Sequence, residues 1–314
     1  MNLENIKKIG IAGAGTMGSG IAQIFARKGY EVVVTDVKEE FLENSKGLVS
    51  IFNKSLIEEG LMGESEVEST IKNIKYNVDK KIFSDCDIII EAIIEKIDIK
   101  QDFWKEVEKV AKPDAIFATN TSGLSITEIS KKLENKGRFI GMHFWNPPHI
   151  IPLVELIKGD GTKDEIINIL LKLLKKIDKE PVVVQKDVPG FIGNRIQFAV
   201  FREALNIVEK GIATFEDVDR AMKYGPGFRY PIIGPLETAD LGGLDTFYYI
   251  SSYLFNDLSD VKEPQEILKK LMNNKELGVK SKKGFYDYSY GKDEEAIKRR
   301  DKMFFKMLKH IHNL

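Results

Sequence analysis

The sequence predicts an α/β protein: a doubly wound, mostly parallel sheet followed by an all-α C-terminal domain. Three observations carry that expectation. Apolar runs of strand length alternate with helical patterns from the N-terminus to about residue 185. The first run turns into its helix through Gly13-Ala14-Gly15-Thr16-Met17-Gly18. After Lys186-Asp187-Val188-Pro189-Gly190 the alternation stops, and every later pattern is helical. Repeated strand–helix alternation builds a parallel sheet with helices on both faces. The break sets the domains at residues 1–187 and 188–314.

The first strand is expected over residues 8–12, its helix ends at Gly29, and a second strand follows over 31–36. The glycine run therefore sits at the first turn of a βαβ unit, in a Rossmann-type arrangement. Gly13 suits the tight turn, Gly15 admits close backbone approach by a pyrophosphate, and Gly18 lets helix and strand pack closely. Thr16 and Met17 open the helix, whose free N–H groups and dipole favour phosphate. Asp36 lies 23 residues after Gly13, close to the roughly 20 expected of an acid that accepts the ribose hydroxyls. That carboxylate would repel a 2′-phosphate, so the expected cofactor is NAD rather than NADP.

The alternation continues with a long amphipathic helix over 38–60, a shorter one over 64–73 and a strand over 87–92. A helix over 99–111 follows, with Phe103, Trp104, Val107 and Val110 on one side, and then a strand over 115–120. Ser125-Ile126-Thr127-Glu128 reads as a capping box. A helix over 164–177 and a strand over 181–185 close the first domain. Beyond it come helices over 191–210, 215–224 (capped by Thr214), 235–255 with a break at Gly242-Gly243, and 264–273. A loop is expected over 225–235, and a terminal amphipathic helix over 293–314.

Composition removes several classes of function. Net charge is −1, with 39 Lys, eight Arg and no basic block, so nucleic acid is not an expected partner. The single cysteine, Cys86, sits beside Ile88-Ile89-Ile90 and reads as a buried thiol; one cysteine permits neither an internal disulfide nor a multi-cysteine metal site. No apolar stretch approaches the ~20 residues that span a bilayer, and no signal or transit pattern stands at the N-terminus, so no membrane partner and a cytoplasmic location are expected.

One stretch draws polar chemistry together. Residues 142–155 hold His143, Asn146 and Glu155, with three prolines in the six positions 147–152. Proline fixes φ and removes a backbone donor, so a rigid connection between two strands is expected, with His143 at a strand's end. Asn120-Thr121-Ser122 falls at another strand's C-terminal end, where open α/β sheets place their ligands. A zinc site built from His143, His149 and Glu155 has no known ligand spacing, and no metal is expected.

These residues resemble the L-3-hydroxyacyl-CoA dehydrogenase family over nearly the whole chain. The motifs that carry the resemblance are Gly13–Gly18, residues 90–95, Asn120-Thr121-Ser122, His143-Phe144-Trp145-Asn146-Pro147, Leu153-Val154-Glu155, residues 187–195 and Lys283-Gly284-Phe285-Tyr286. The resemblance implies NAD-dependent interconversion of a short-chain 3-hydroxyacyl-CoA and its 3-keto form. His143 would be the base, Glu155 would orient it, and Ser122 and Asn194 would bond the substrate oxygen. Ala92, Glu95, Lys100, Asn120, Asn146 and Lys280 match positions lining NAD. Lys54, with Lys46, matches a position that meets the CoA phosphates. A homodimer through the helical domain is also implied. Gly123 replaces a serine usual in the family, Trp145 a phenylalanine, Pro152 a lysine and Lys282 a glycine. The segment 147–155 also looks like related dehydrogenases of free hydroxy acids such as the gulonate and carnitine enzymes, which is the alternative reading. His149, His310 and His312 match no role.

Overall fold

The computed structural model describes residues 2–311. His312, and the last three positions of the expected terminal helix, lie outside them. The chain divides into two compact units, Met1–Ile192 and Gly193–Leu314.

The first unit holds β1 (Lys8–Ala12), α1 (Thr16–Arg27), β2 (Glu31–Thr35), α2 (Glu39–Glu58), α3 (Glu64–Lys72) and β3 (Ile74–Tyr76). It continues with β4 (Ile88–Glu91), α4 (Ile97–Val110), β5 (Ile116–Thr119), the single turn α5 (Ile126–Ile129), β6 (Phe139–Phe144), β7 (Leu153–Ile157), α6 (Asp164–Lys176) and β8 (Glu180–Val184). One sheet runs β3-β2-β1-β4-β5-β6-β7-β8. Every neighbouring pair is parallel except β6 and β7. From β1 the chain winds outward through β2 and β3, then returns to place β4 on the other side. This reversal opens a crevice at the C-terminal ends of β1 and β4.

Period-two alternation explains how the strands bury both faces. Ile9, Ile11, Val32, Val34, Ile88 and Ile90 pack with α1, α2 and α6 in one layer. Val33, Ile89 and Phe117 pack with α4 and α5 in the other. Trp104 anchors that second layer, stacked on Phe117 at 4.9 Å and meeting Phe139 edge-on at 5.2 Å. Cys86 is buried in the same layer, and burial pushes its thiol up to about 12. Strand β3 escaped the sequence reading. Three residues carry no periodic signal, and Ile74–Tyr76 is a strand because Val32–Val34 offers it an edge to pair with.

The first compact unit runs to Ile192, a few residues beyond the expected change of domain after residue 187. Phe191 is 1% exposed, at φ +52°, and belongs to the second core layer. That backbone turn delays the next helix to Gly193 rather than the expected 191.

The second unit contains α7 (Gly193–Glu209), α8 (Phe215–Tyr224), α9 (Pro226–Arg229), α10 (Pro235–Gly242), α11 (Leu244–Leu254), α12 (Glu266–Asn273) and α13 (Lys292–Ile311). Thr214 caps α8, its Oγ1 accepting from the Asp217 N–H at 3.2 Å. The turn α9 lies inside the segment read as a loop; Pro226 starts it, since a missing N–H costs nothing at a helix's first position. Gly243, at φ +92°, separates α10 from α11. Lys282 stands where the family often has glycine, and its φ of +64° is the left-handed conformation that glycine favours. Its ammonium is ion-paired with Asp293 at the start of α13. Among the described residues, no helix is long and apolar enough to cross a membrane.

Candidate active site

The glycine turn has three different reasons for its three glycines. Gly13 has φ +102°, and a Cβ there would lie 2.4 Å from the Ala92 carbonyl oxygen. A Cβ on Gly18 would fall 1.8 Å from the Gly13 carbonyl oxygen. Both are demanded by the chain itself. Gly15 is exposed, and a Cβ there would meet nothing within 4 Å. Gly15 is also the N-cap of α1, and no side chain caps that terminus. Thr16 and Met17 follow it with backbone donors at a positive dipole end. The open cradle at Gly15 fits a phosphate-bearing ligand.

Asp36 follows β2 at the same edge. Its Oδ2 accepts from the Ala14 N–H at 2.7 Å and its Oδ1 from the Val37 N–H at 2.6 Å. One carboxylate thus braces the glycine turn, with a lone pair left on each oxygen for a ribose diol.

A buried polar group supports the end of β4. Glu91 and Lys100 are ion-paired, with exposures of 0% and 1%. Glu91 Oε2 accepts from the Thr119 hydroxyl at 2.8 Å and Oε1 from the Ile93 N–H at 2.9 Å. Burial pushes the Glu91 carboxyl up, while Lys100, Thr119 and Ile93 draw it back. Lys100 also lies 3.2 Å from Glu95. Glu95 in turn accepts from the Thr121 hydroxyl and, at 3.0 Å, from the Ser122 N–H. Ala92 hangs from Ala12 by its N–H at 2.7 Å. Ala92, Glu95, Lys100 and Ser122 therefore form one connected edge. Glu91, which ties it together, is absent from the residues expected for the site; its signal is an acid closing a run of three isoleucines.

Strand β6 runs parallel to β5 and ends at this edge, and β7 returns antiparallel from it. His143 lies one residue inside the end of β6, rather than in the connection, and stands opposite Glu155 in the β6–β7 register. Directly paired antiparallel residues share one face, so imidazole and carboxylate meet. His143 Nδ1 is 2.8 Å from Glu155 Oε2. The Trp145 indole N–H donates to the same oxygen at 3.1 Å, and the Ile192 N–H donates to Oε1 at 2.9 Å. His143 is 5% and Glu155 0% exposed. Asn120 links the two strand ends, its Oδ1 accepting from the Phe144 N–H at 2.7 Å.

The connection after β6 is held on three sides. Pro148 presses on α1 so closely that a Cβ on Gly20 would sit 2.4 Å from its Cγ. His149 stacks on Phe52 of α2 at 4.2 Å. Lys179, 5% exposed, donates to the Pro148 and Ile151 carbonyls at 2.6 and 2.9 Å. Asn146, exposed, precedes this anchored segment.

Four more expected residues stand on other elements. Lys46 and Lys54 are exposed on α2, Lys46 2.5 Å from Glu43 and Lys54 3.9 Å from Glu58. Asn194 is the second residue of α7, and exposed Lys280 lies in the turn Val279–Ser281; both belong to the helical unit. Among the described residues, no three His, Cys, Asp or Glu side chains are grouped to hold a metal ion.

A doubly wound sheet with an uncapped glycine turn, an acid after its second strand and an imidazole–carboxylate pair at the same edge defines a nicotinamide-dependent oxidoreductase. Residues 8–188 match the 3-hydroxyacyl-CoA dehydrogenase NAD binding domain, and residues 190–288 match the C-terminal domain of the same enzymes. The chain belongs to the 3-hydroxyacyl-CoA dehydrogenase family, and its cofactor is NAD.

A probable 3-hydroxybutyryl-CoA dehydrogenase of Deinococcus radiodurans is 40% identical over 282 residues, covering 90% of this chain and 100% of that protein. Among solved structures, 5-formyl-3-hydroxy-2-methylpyridine 4-carboxylic acid 5-dehydrogenase superimposes with a TM-score of 0.91 at 33% identity, covering 98% of this chain and 99% of that one. The (S)-3-hydroxybutyryl-CoA dehydrogenase of Ralstonia eutropha gives 0.76 at 36% identity, covering 91% and 100%.

Proposed function

We propose that this protein interconverts a short-chain L-3-hydroxyacyl-CoA and the corresponding 3-ketoacyl-CoA, with His143 as the general base. The observation that carries this reading is the buried His143–Glu155 pair at the sheet edge that also holds the glycine turn. Oxidising a secondary alcohol requires removal of the hydroxyl proton as the carbon gives up hydride. Bound NAD supplies the acceptor for that hydride. Glu155, as a carboxylate, accepts the proton on Nδ1 and so fixes the tautomer in which Nε2 carries a lone pair. Nε2 then takes the hydroxyl proton, and Glu155 stabilises the imidazolium. In the reducing direction the same nitrogen returns the proton. Ser122 and Asn194 are proposed to bond the substrate oxygen. Asn146, Asn120, Ala92, Glu95, Lys100 and Lys280 are proposed to line the cofactor, Lys100 by holding Glu95. Lys46 and Lys54 are proposed to meet the CoA phosphates.

Acetoacetyl-CoA with NADH tests the reading: the NADH absorbance band should fall. A second reading, a dehydrogenase of a CoA-free hydroxy acid, is supported by the 0.91 similarity to an enzyme whose name carries a pyridine carboxylate. Inert CoA esters with active free acids would establish it in place of the first. Lys54→Ala should raise KM for the CoA ester several-fold and leave a free acid unaffected.

The helical unit is proposed to bind substrate and to pair two copies of the chain. Phe198, Leu236, Leu241, Tyr248 and Phe255 are all exposed there, apolar area that a second copy could cover.

A further inference from the structure

Hydrogen-bond donors reach both carboxylate oxygens of Glu155. Oε1 takes the Ile192 N–H at 2.9 Å. Oε2 takes both His143 Nδ1, at 2.8 Å, and the Trp145 indole, at 3.1 Å. Two donors on one oxygen compete for its charge. We propose that Trp145 is a positioning residue: its indole N–H holds the Glu155 carboxylate in register with His143 and limits the negative charge that the imidazole feels. The proposal rests on His143 as the base only for its effect on rate; its effect on the imidazole stands alone.

Across β6, Glu155 faces His143; across β8 it faces Val182. The imidazole is flanked by the rings of Trp145 at 5.8 Å and Phe191 at 5.7 Å. A phenylalanine at 145, the usual residue in the family, keeps the ring and lacks the donor. Oε2 would then lose the indole donor, its negative charge would be less screened, and the imidazolium would be favoured more strongly.

The experiment compares wild type with Trp145→Phe by NMR titration of the His143 Hε1 resonance and by the pH profile of kcat/KM for oxidation. The titration midpoint should rise in the variant by about half to one pH unit. The acid limb of the profile should rise with it, making oxidation at pH 6 about three- to tenfold slower relative to wild type. Replacing both tryptophans by benzothienylalanine, which exchanges N–H for sulfur, deletes the donor without changing ring shape. Trp104 Nε1 has no hydrogen-bond partner among the described residues, so that exchange removes one bond, at Trp145. The benzothienyl protein should shift in the same direction. Unchanged midpoints in both proteins overturn the proposal. A shifted midpoint with an unmoved rate profile keeps Trp145 as the tuning group and removes His143 as the base.

Discussion

Gly15 and Gly18 sit in one turn and are required for different reasons. At Gly18 the obstacle is the chain's own backbone, 1.8 Å from where a Cβ would be, and no backbone carbonyl gives way cheaply. Gly18→Ala should therefore cost folding itself, with a loss of roughly 3 kcal/mol or more and a fall in soluble yield. At Gly15 the space belongs to whatever binds there. Gly15→Ala should melt within a degree or two of wild type yet bind NADH about tenfold or more weakly, read by fluorescence titration. His143→Gln should keep NADH binding and lose roughly 10²–10⁴ in turnover, the usual worth of a general base. Unchanged turnover would remove His143 from the chemistry. The glycines and Asp36 were legible because phosphate binding imposes a spacing on sequence. Glu91 left only a weak trace, an acid closing a run of three isoleucines, because burial at 0% exposure imposes no spacing on the sequence.

The connection 145–152 behaves as an element of its own, and a buried lysine fixes it. Burial lowers the Lys179 ammonium to about 7, from 10.5 in an exposed chain. Between those values the unfolded chain binds the extra proton, so this group's contribution to stability rises with pH from about 7 to 10.5, and the cost of burying its charge is fully present below 7. Lys179→Met strands the buried Pro148 carbonyl, a loss of about 1–3 kcal/mol, and removes the donor to the partly buried Ile151 carbonyl. The gap in Tm between wild type and Lys179→Met should widen from pH 7 to pH 9. A gap that stays constant would mean that Lys179 titrates alike in both states. The prolines announced a stiff segment in the sequence, but a lone lysine ahead of a strand looks like any solvated charge. The β6–β7 register was equally silent. Twelve residues separate His143 from Glu155, and only the turn geometry decides whether they end face to face.

At the scale of the whole chain, alternation and its breakdown were strong enough to read the fold class directly. Weak or three-residue signals, as at β3 and α9, depended on neighbours that the pattern does not name. The exposed apolar residues of the helical unit lead to a solution experiment. Sedimentation should give a dimer of the 35.6 kDa chain, and Leu241→Glu with Tyr248→Glu should shift it toward monomer. A wild type that sediments as a monomer would remove the proposed pairing.

The contact between Gly20 and Pro148 bears on how such a chain can change over generations. Helix α1 and the segment after β6 touch with no room for a methyl group, so neither position drifts alone. Gly20→Ala should impair activity, and adding Pro148→Ala should restore part of it. Ancestry would then be recorded in this pair as linked replacement, with lineages that enlarge one side having first trimmed the other.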